Sequence, residues 1–264
     1  MPGTGKKQVD PRLWNIDPNA LGGPPSGPIS IRSPAVEQIL IQAAHLTSPF
    51  GRRLGPGERD LIYDIYRSSV DTARIRVVEA RIANAPTTLG NQIRVKPGFS
   101  FKTEEGKSTL IHEAGHVWQY QTTGTRYITC SAYNQIRAHV KTGNRNAAYF
   151  NYTLDNRRSI GDYAAEEQAT IIEDFYQLTV RYKDQKIVPD WVKMRRPDLP
   201  KYERLIKQVR SYRPKTQTQV YTDSLMHTRT RHGLPLDSHL PDTMPLVPIL
   251  EIRFDFLGGG RKRR

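Results

Sequence analysis

The chain contains a single cysteine, Cys130, in 264 residues. One cysteine excludes an internal disulfide framework and any zinc site built on several thiolates, so Cys130 reads as a small core residue. There is no run of 18 apolar residues either, and no membrane-spanning helix is expected. The first thirty residues lack the apolar stretch of a cleavable secretory signal. The protein is therefore expected to be cytoplasmic as synthesised, with export left to an apparatus that does not read such signals. Hydrophobic residues are scarce at 37%, whereas glycine and proline occur 19 times each. That balance points to a folded centre flanked by irregular segments. Acidic residues are also short, 26 against 40 basic ones, for a net charge of +14.

The positive excess is uneven. Residues 1–110 hold 15 basic against 10 acidic side chains, residues 111–180 hold 6 against 7, and residues 181–264 hold 19 against 9. Basic flanks steer proteins toward nucleic acid or acidic partners, so nucleic acid stays open as a partner. It is not favoured, because the residues that carry chemistry lie in the neutral middle. Four regions follow: an extended Pro/Gly-rich arm over 1–30, a folded core over 31–185, a basic and partly irregular extension over 186–257 packing on that core, and a basic tail over 258–264. Gly3-Thr4-Gly5-Lys6-Lys7 lacks the upstream glycine and strand of a phosphate loop and reads as a solvated terminus.

Ser33-Pro34 starts one helix, with Val36, Ile39, Leu40 and Ala43 at helical spacing. A second is expected over about Glu58–Ser68, with Leu61, Ile62, Ile65 and Tyr66 inward. Ala73–Glu79 reads as a strand, and Ile93 with Val95 after Gly90-Asn91 as another. Further helices are expected over Lys107–Gln121, 131–142, 162–182 and 201–212. The fold class is therefore α+β, mostly α, with a small sheet. His227, His232 and His239 fall in a segment with proline and threonine and read as exposed loop histidines.

The decisive stretch is His112-Glu113-Ala114-Gly115-His116 inside an apolar helix. Residues four apart share a helix face, so both imidazoles can reach one ion. Glu113 lies about 100° around the helix from His112, beside the metal, where it can take a proton from water. Ile111, Ala114, Val117 and Trp118 would bury the helix and back the site. Gly115 in mid-helix suggests close approach of another backbone, such as a strand lining a cleft.

Catalytic zinc keeps three protein ligands and one open position. The continuation H-x-x-G-x-x-H is absent, since Gln119 and Thr122 stand where its Gly and His would be. A glutamate on a second helix is the alternative. In the segment Tyr163–Phe175, Glu166 shares a face with Ala169 and Glu173, among residues too apolar for a solvated surface. Glu166 is the preferred third ligand, with Glu173, Glu167 and His139 as alternatives.

Residues 50–180 resemble a family of zinc metallopeptidase domains of bacterial contractile-injection systems and polymorphic toxins, some fused to type VI secretion spike proteins. The matching residues are Leu54-Gly55-Pro56-Gly57-Glu58-Arg59, Ile75-Arg76-Val77, Gly90-Asn91-Gln92-Ile93, Ile111-His112-Glu113-Ala114-Gly115-His116-Val117-Trp118-Gln119-Tyr120-Gln121 and Glu166-Glu167-Gln168-Ala169. The resemblance implies a minimal zincin-like fold of gluzincin type. It implies one Zn2+ held by His112, His116 and Glu166, with Glu113 as general base on a protein or peptide substrate. It also implies a secretion-apparatus carrier and a role as an effector or toxin, in which the arm would dock to the carrier. Tyr149, Tyr152 and Tyr163 are candidates to contact substrate or steady an oxyanion. The competing expectation is a non-catalytic, zinc-stabilised module that binds nucleic acid or an acidic protein through its basic flanks.

Overall fold

The computed structural model describes residues 51–80, 86–127 and 152–232. The expected arm, tail and helices near 34–43 and 131–142 lie outside these residues, as do Cys130, His139, Tyr149 and His239. The order is β1 (Arg52–Arg53), α1 (Pro56–Tyr66), β2 (Arg76–Glu79), β3 (Thr87–Leu89), β4 (Gln92–Val95), α2 (Glu104–Thr123), α3 (Ala165–Tyr176), α4 (Asp190–Arg195), α5 (Leu199–Ser211) and α6 (Gln217–His232). The described part is a mostly helical α+β fold, as the periodicity predicts. Among the described residues no helix is long and apolar enough to cross a membrane.

Local signals set the boundaries. Pro56 opens α1, and the Gly55 N–H donates to Glu58 Oε2 at 2.7 Å. The Asp71 carboxylate accepts from the Ala73 N–H at 3.1 Å and holds Thr72–Arg74 in a 3-10 turn. That turn shortens the strand expected over Ala73–Glu79 to Arg76–Glu79. Thr103 Oγ1 accepts from the Gly106 N–H at 3.0 Å, so α2 begins three residues before Lys107. It ends at Gly124, whose φ of 76° and N–H donation to the Tyr120 carbonyl close the helix.

The helix expected over 162–182 starts at Ala165 instead. Asp162 folds back to accept from the Ser159 N–H and hydroxyl at 2.7 and 2.8 Å, a separate turn. After Tyr176 the helix loosens into a π turn over Gln177–Arg181. Helix α6 corrects the reading of His227 and His232 as loop residues, since both lie on it. Only Val220 and Ser224 of its described side chains are buried, so no apolar period marks it. Its start is a reciprocal cap: the Gln219 N–H donates to Thr216 Oγ1, and the Thr216 N–H to Gln219 Oε1.

The four strands run in the order β1-β2-β4-β3. β2 and β4 are parallel, and the outer pairs are antiparallel. Val77, Ile93 and Val95 point into a core shared with Ile62, Ile65, Leu110, Ile111 and Val117. From Leu110 to Thr122 every residue of α2 but the half-buried His112 is buried, so this helix runs through the middle of the core. It packs antiparallel on α3, and α5 packs on α3 and α1, burying Tyr202, Leu205, Ile206 and Val209.

Candidate metal centre

Helices α2 and α3 can approach closely at one point because Gly115 faces Ala169. A Cβ on Gly115 would sit 3.1 Å from both Cα and Cβ of Ala169 and 3.2 Å from the Tyr66 hydroxyl. The close neighbour anticipated for this glycine is thus a helix, not a strand. One turn to either side, the same approach brings side chains together. Glu166 Oε2 lies 3.4 Å from His112 Nε2 and 3.3 Å from His116 Nε2. One ligand atom from each of His112, His116 and Glu166 lies within 4.8 Å of the other two, so the group can hold a metal ion.

The surrounding hydrogen bonds decide which ring nitrogens face that point. Gln119 Nε2 donates to the Ala165 carbonyl at 2.8 Å and to Gln168 Oε1 at 2.9 Å. Both amide hydrogens are spent there, so Gln119 Oε1 accepts from His116 Nδ1–H at 2.9 Å. Gln168 is oriented in turn by donating to the Tyr163 carbonyl at 2.7 Å. On the other ring, His112 Nδ1 donates to Glu173 Oε2 at 3.2 Å, and Glu173 Oε1 accepts from Gln177 Nε2 at 3.1 Å. Both rings therefore carry hydrogen on Nδ1 and turn Nε2 toward Glu166. This is the tautomer a metal-ligating histidine needs, with the outer nitrogen fixed by a neighbour.

Electrostatics agree with this geometry. Burial, the largest single influence, disfavours charging the two histidines, but the surrounding carboxylates together outweigh it: Glu166, Glu173 and Glu113 at His112, and Glu166 and Glu113 at His116. His112 is held well above the ordinary imidazole range and His116 above it. Burial alone would likewise raise the Glu166 carboxyl, yet the two imidazoles hold it well below the usual range. Protons here occupy a place that suits a divalent cation. Two imidazoles and one carboxylate are a donor set that favours zinc among such ions.

The other sequence candidates have definite places. The Glu113 carboxylate is buried beside the group, with Oε2 accepting from the Thr88 hydroxyl at 2.7 Å. Glu167 accepts from the Ala164 N–H at 2.9 Å and caps α3 rather than joining the ligands. Glu173 orients His112. The Tyr152 hydroxyl binds Asp174 and Tyr202, and the Tyr163 hydroxyl donates to the Thr153 carbonyl at 3.3 Å while accepting from the Asp155 N–H at 3.2 Å. Both hydroxyls are thus committed away from the three ligands.

Two residues that the sequence reading missed line the site. Tyr127 stacks on the His116 ring, with centroids 5.7 Å apart and planes at 21°. Its hydroxyl donates to the Thr88 carbonyl at 3.2 Å and accepts from the Gly90 N–H at 3.1 Å. Thr88 belongs to β3, whose signal was present as Thr-Thr-Leu before the two-residue turn Gly90-Asn91.

No family model matches the chain. The chain is similar to the type VI secretion system spike protein VgrG2b of Pseudomonas aeruginosa, 26% identical over 137 residues. The match covers 48% of this chain but only 13% of that much longer protein. The effector domain of the same VgrG2b also matches structurally, with 22% identity and a TM-score of 0.42, over 55% of this chain and 88% of that domain. This chain therefore shares a stretch of sequence with a type VI spike protein, which the resemblance seen in the sequence implies.

Proposed function

We propose that the protein is a zinc-dependent peptidase delivered through a type VI or related secretion apparatus. The observation that carries the peptidase reading is the convergence of His112 Nε2, His116 Nε2 and Glu166 Oε2, with Glu113 buried beside them. Three ligands leave a coordination position open, the arrangement of catalytic rather than structural zinc. When bound, the ion supplies a Lewis acid and brings water to a pKa near 7. Glu113, buried beside the ligands, would serve as the general base, taking a proton from water and handing it to the leaving amine. His112 and His116 keep their Nε2 lone pairs aimed inward because Glu173 and Gln119 hold the opposite nitrogens. β3 is one of the two edge strands among the described strands, and the one next to Glu113, so a peptide can lie along it there.

The delivery reading rests on the similarity to a spike protein. Its test is co-purification of the tagged chain with spike and tube components from a secreting strain. Recovery from culture medium that does not depend on the sheath ATPase would contradict it. The peptidase reading is tested by Glu113→Gln, which should retain zinc and lose cleavage of a labelled unfolded protein. Cleavage at the wild-type rate by that variant would remove Glu113 from its role.

A further inference from the structure

The base in this site is held by a residue from a different element. Thr88 Oγ1 lies 2.7 Å from Glu113 Oε2 and 3.2 Å from the Glu113 backbone carbonyl. A hydroxyl has one hydrogen to give and an ionised carboxylate can only accept, so the short contact is Thr88 donating to Oε2. Among the described residues it is the hydrogen bond that the Glu113 carboxylate makes. It engages one oxygen and leaves Oε1 to receive a proton.

The donor is itself fixed. Leu89 and Gln92 flank the two-residue turn as the hydrogen-bonded closing pair of the β3–β4 hairpin, which makes Thr88 opposite Ile93 a non-hydrogen-bonded pair. The Thr88 carbonyl then points away from β4, and there it accepts from the Tyr127 hydroxyl at 3.2 Å. The side chain shares the face of the buried Ile93 and is itself half-buried, where a hydroxyl gains by finding an acceptor. β-branching restricts its χ1, so the hydroxyl is aimed rather than free to turn. The same Tyr127 ring rests on His116. One small assembly from β3 and the segment just after α2 therefore meets both the base and a metal-binding residue.

We propose that Thr88 is the positioning residue of the base. Its hydroxyl holds one oxygen of Glu113 so that the other is presented to the water being deprotonated. This rests on the peptidase reading above and adds a requirement to it: the strand, not the helix alone, sets the geometry of the base.

The test compares zinc-loaded wild type with Thr88→Val, which keeps the shape and removes the donor, and Thr88→Ser, which keeps the donor. Zinc content, kcat and KM on fluorescein-labelled casein, and crystal structures of wild type and Thr88→Val are measured together. Thr88→Val should retain wild-type zinc and KM while kcat falls roughly 10- to 100-fold, and its Glu113 carboxylate should leave the position seen here. Thr88→Ser should stay within about threefold of wild type, since the donor remains. If Thr88→Val does not fold, Thr88→Ala takes its place with the same expectations. An unchanged kcat with Glu113 in place would overturn the proposal. If wild type does not cleave casein, the peptidase reading fails on this probe and the crystal structures still decide whether Thr88 positions Glu113.

Discussion

Adjacent residues of α3 enter two different buried polar networks. Glu173 turns to His112 and the candidate metal centre, whereas Asp174 turns to Tyr152, Tyr202 and Arg195. In the second network every contact runs from a donor to an acceptor. Tyr152 donates to Asp174, the Tyr152 and Tyr202 hydroxyls are 2.6 Å apart, and Arg195 Nη1 donates to Tyr202 at 2.8 Å. The Arg195 guanidinium also covers the Tyr152 ring at 4.3 Å. It is a closed set that ties α3, α4 and α5 together. In the first network, two imidazole nitrogens and a carboxylate oxygen all turn their lone pairs to one point, which only a proton or a cation can satisfy. Buried polarity alone thus does not identify a site. A convergence of acceptors does.

The comparison can be broken at either end. The largest effect is expected from Glu113→Gln, with a 10²- to 10⁴-fold loss of peptide hydrolysis at unchanged zinc content, measured on a labelled unfolded protein. Next in size is a pH effect in the closed network. Burial pushes the Asp174 carboxyl up to about 6 against the pull of Arg195, from an ordinary value of 3.8. A carboxyl raised in the folded state favours the protonated form, so its stabilising contribution is present below about pH 4 and lost by about pH 6. Up to about 3 kcal/mol should disappear over that window. Urea unfolding at a series of pH values should show this loss in wild type and not in Asp174→Asn.

Smaller effects sharpen the contrast. Glu173→Leu and Gln119→Leu should each weaken zinc about 10- to 100-fold, read by competition with a chromophoric chelator, because each removes the acceptor that fixes an Nδ1–H. Tyr202→Phe should cost about 1–3 kcal/mol of stability and leave zinc affinity unchanged, since it removes a buried hydroxyl from the closed network alone. A large loss of zinc in Tyr202→Phe would show that the two networks are coupled through α3.

Much of this centre was legible in the sequence because helical spacing is local information. His112, Glu113 and His116 fix their relative directions within one helix turn, and Glu166 stands out as a charge on an apolar face. What pairing adds was not legible. Glu166 and Glu167 are neighbours of the same type, and only the fold shows that one meets the histidines while the other caps α3. Thr88 and Tyr127 reach the site through strand pairing and chain return, which no local period encodes. Helix α6 was missed for another reason: it buries so little that its apolar pattern is faint, although its Thr216–Gln219 cap was readable. Gly115 signalled a close approach without saying to what.

The most direct measurement is zinc content and affinity of purified wild type beside His116→Ala and Glu166→Ala, with folding checked by circular dichroism. If the three residues hold the ion, wild type carries one zinc per chain and both variants, still folded, lose it or bind it far more weakly. Well-folded wild type without zinc, or a Glu166→Ala protein that binds zinc as wild type does, would contradict the centre described here.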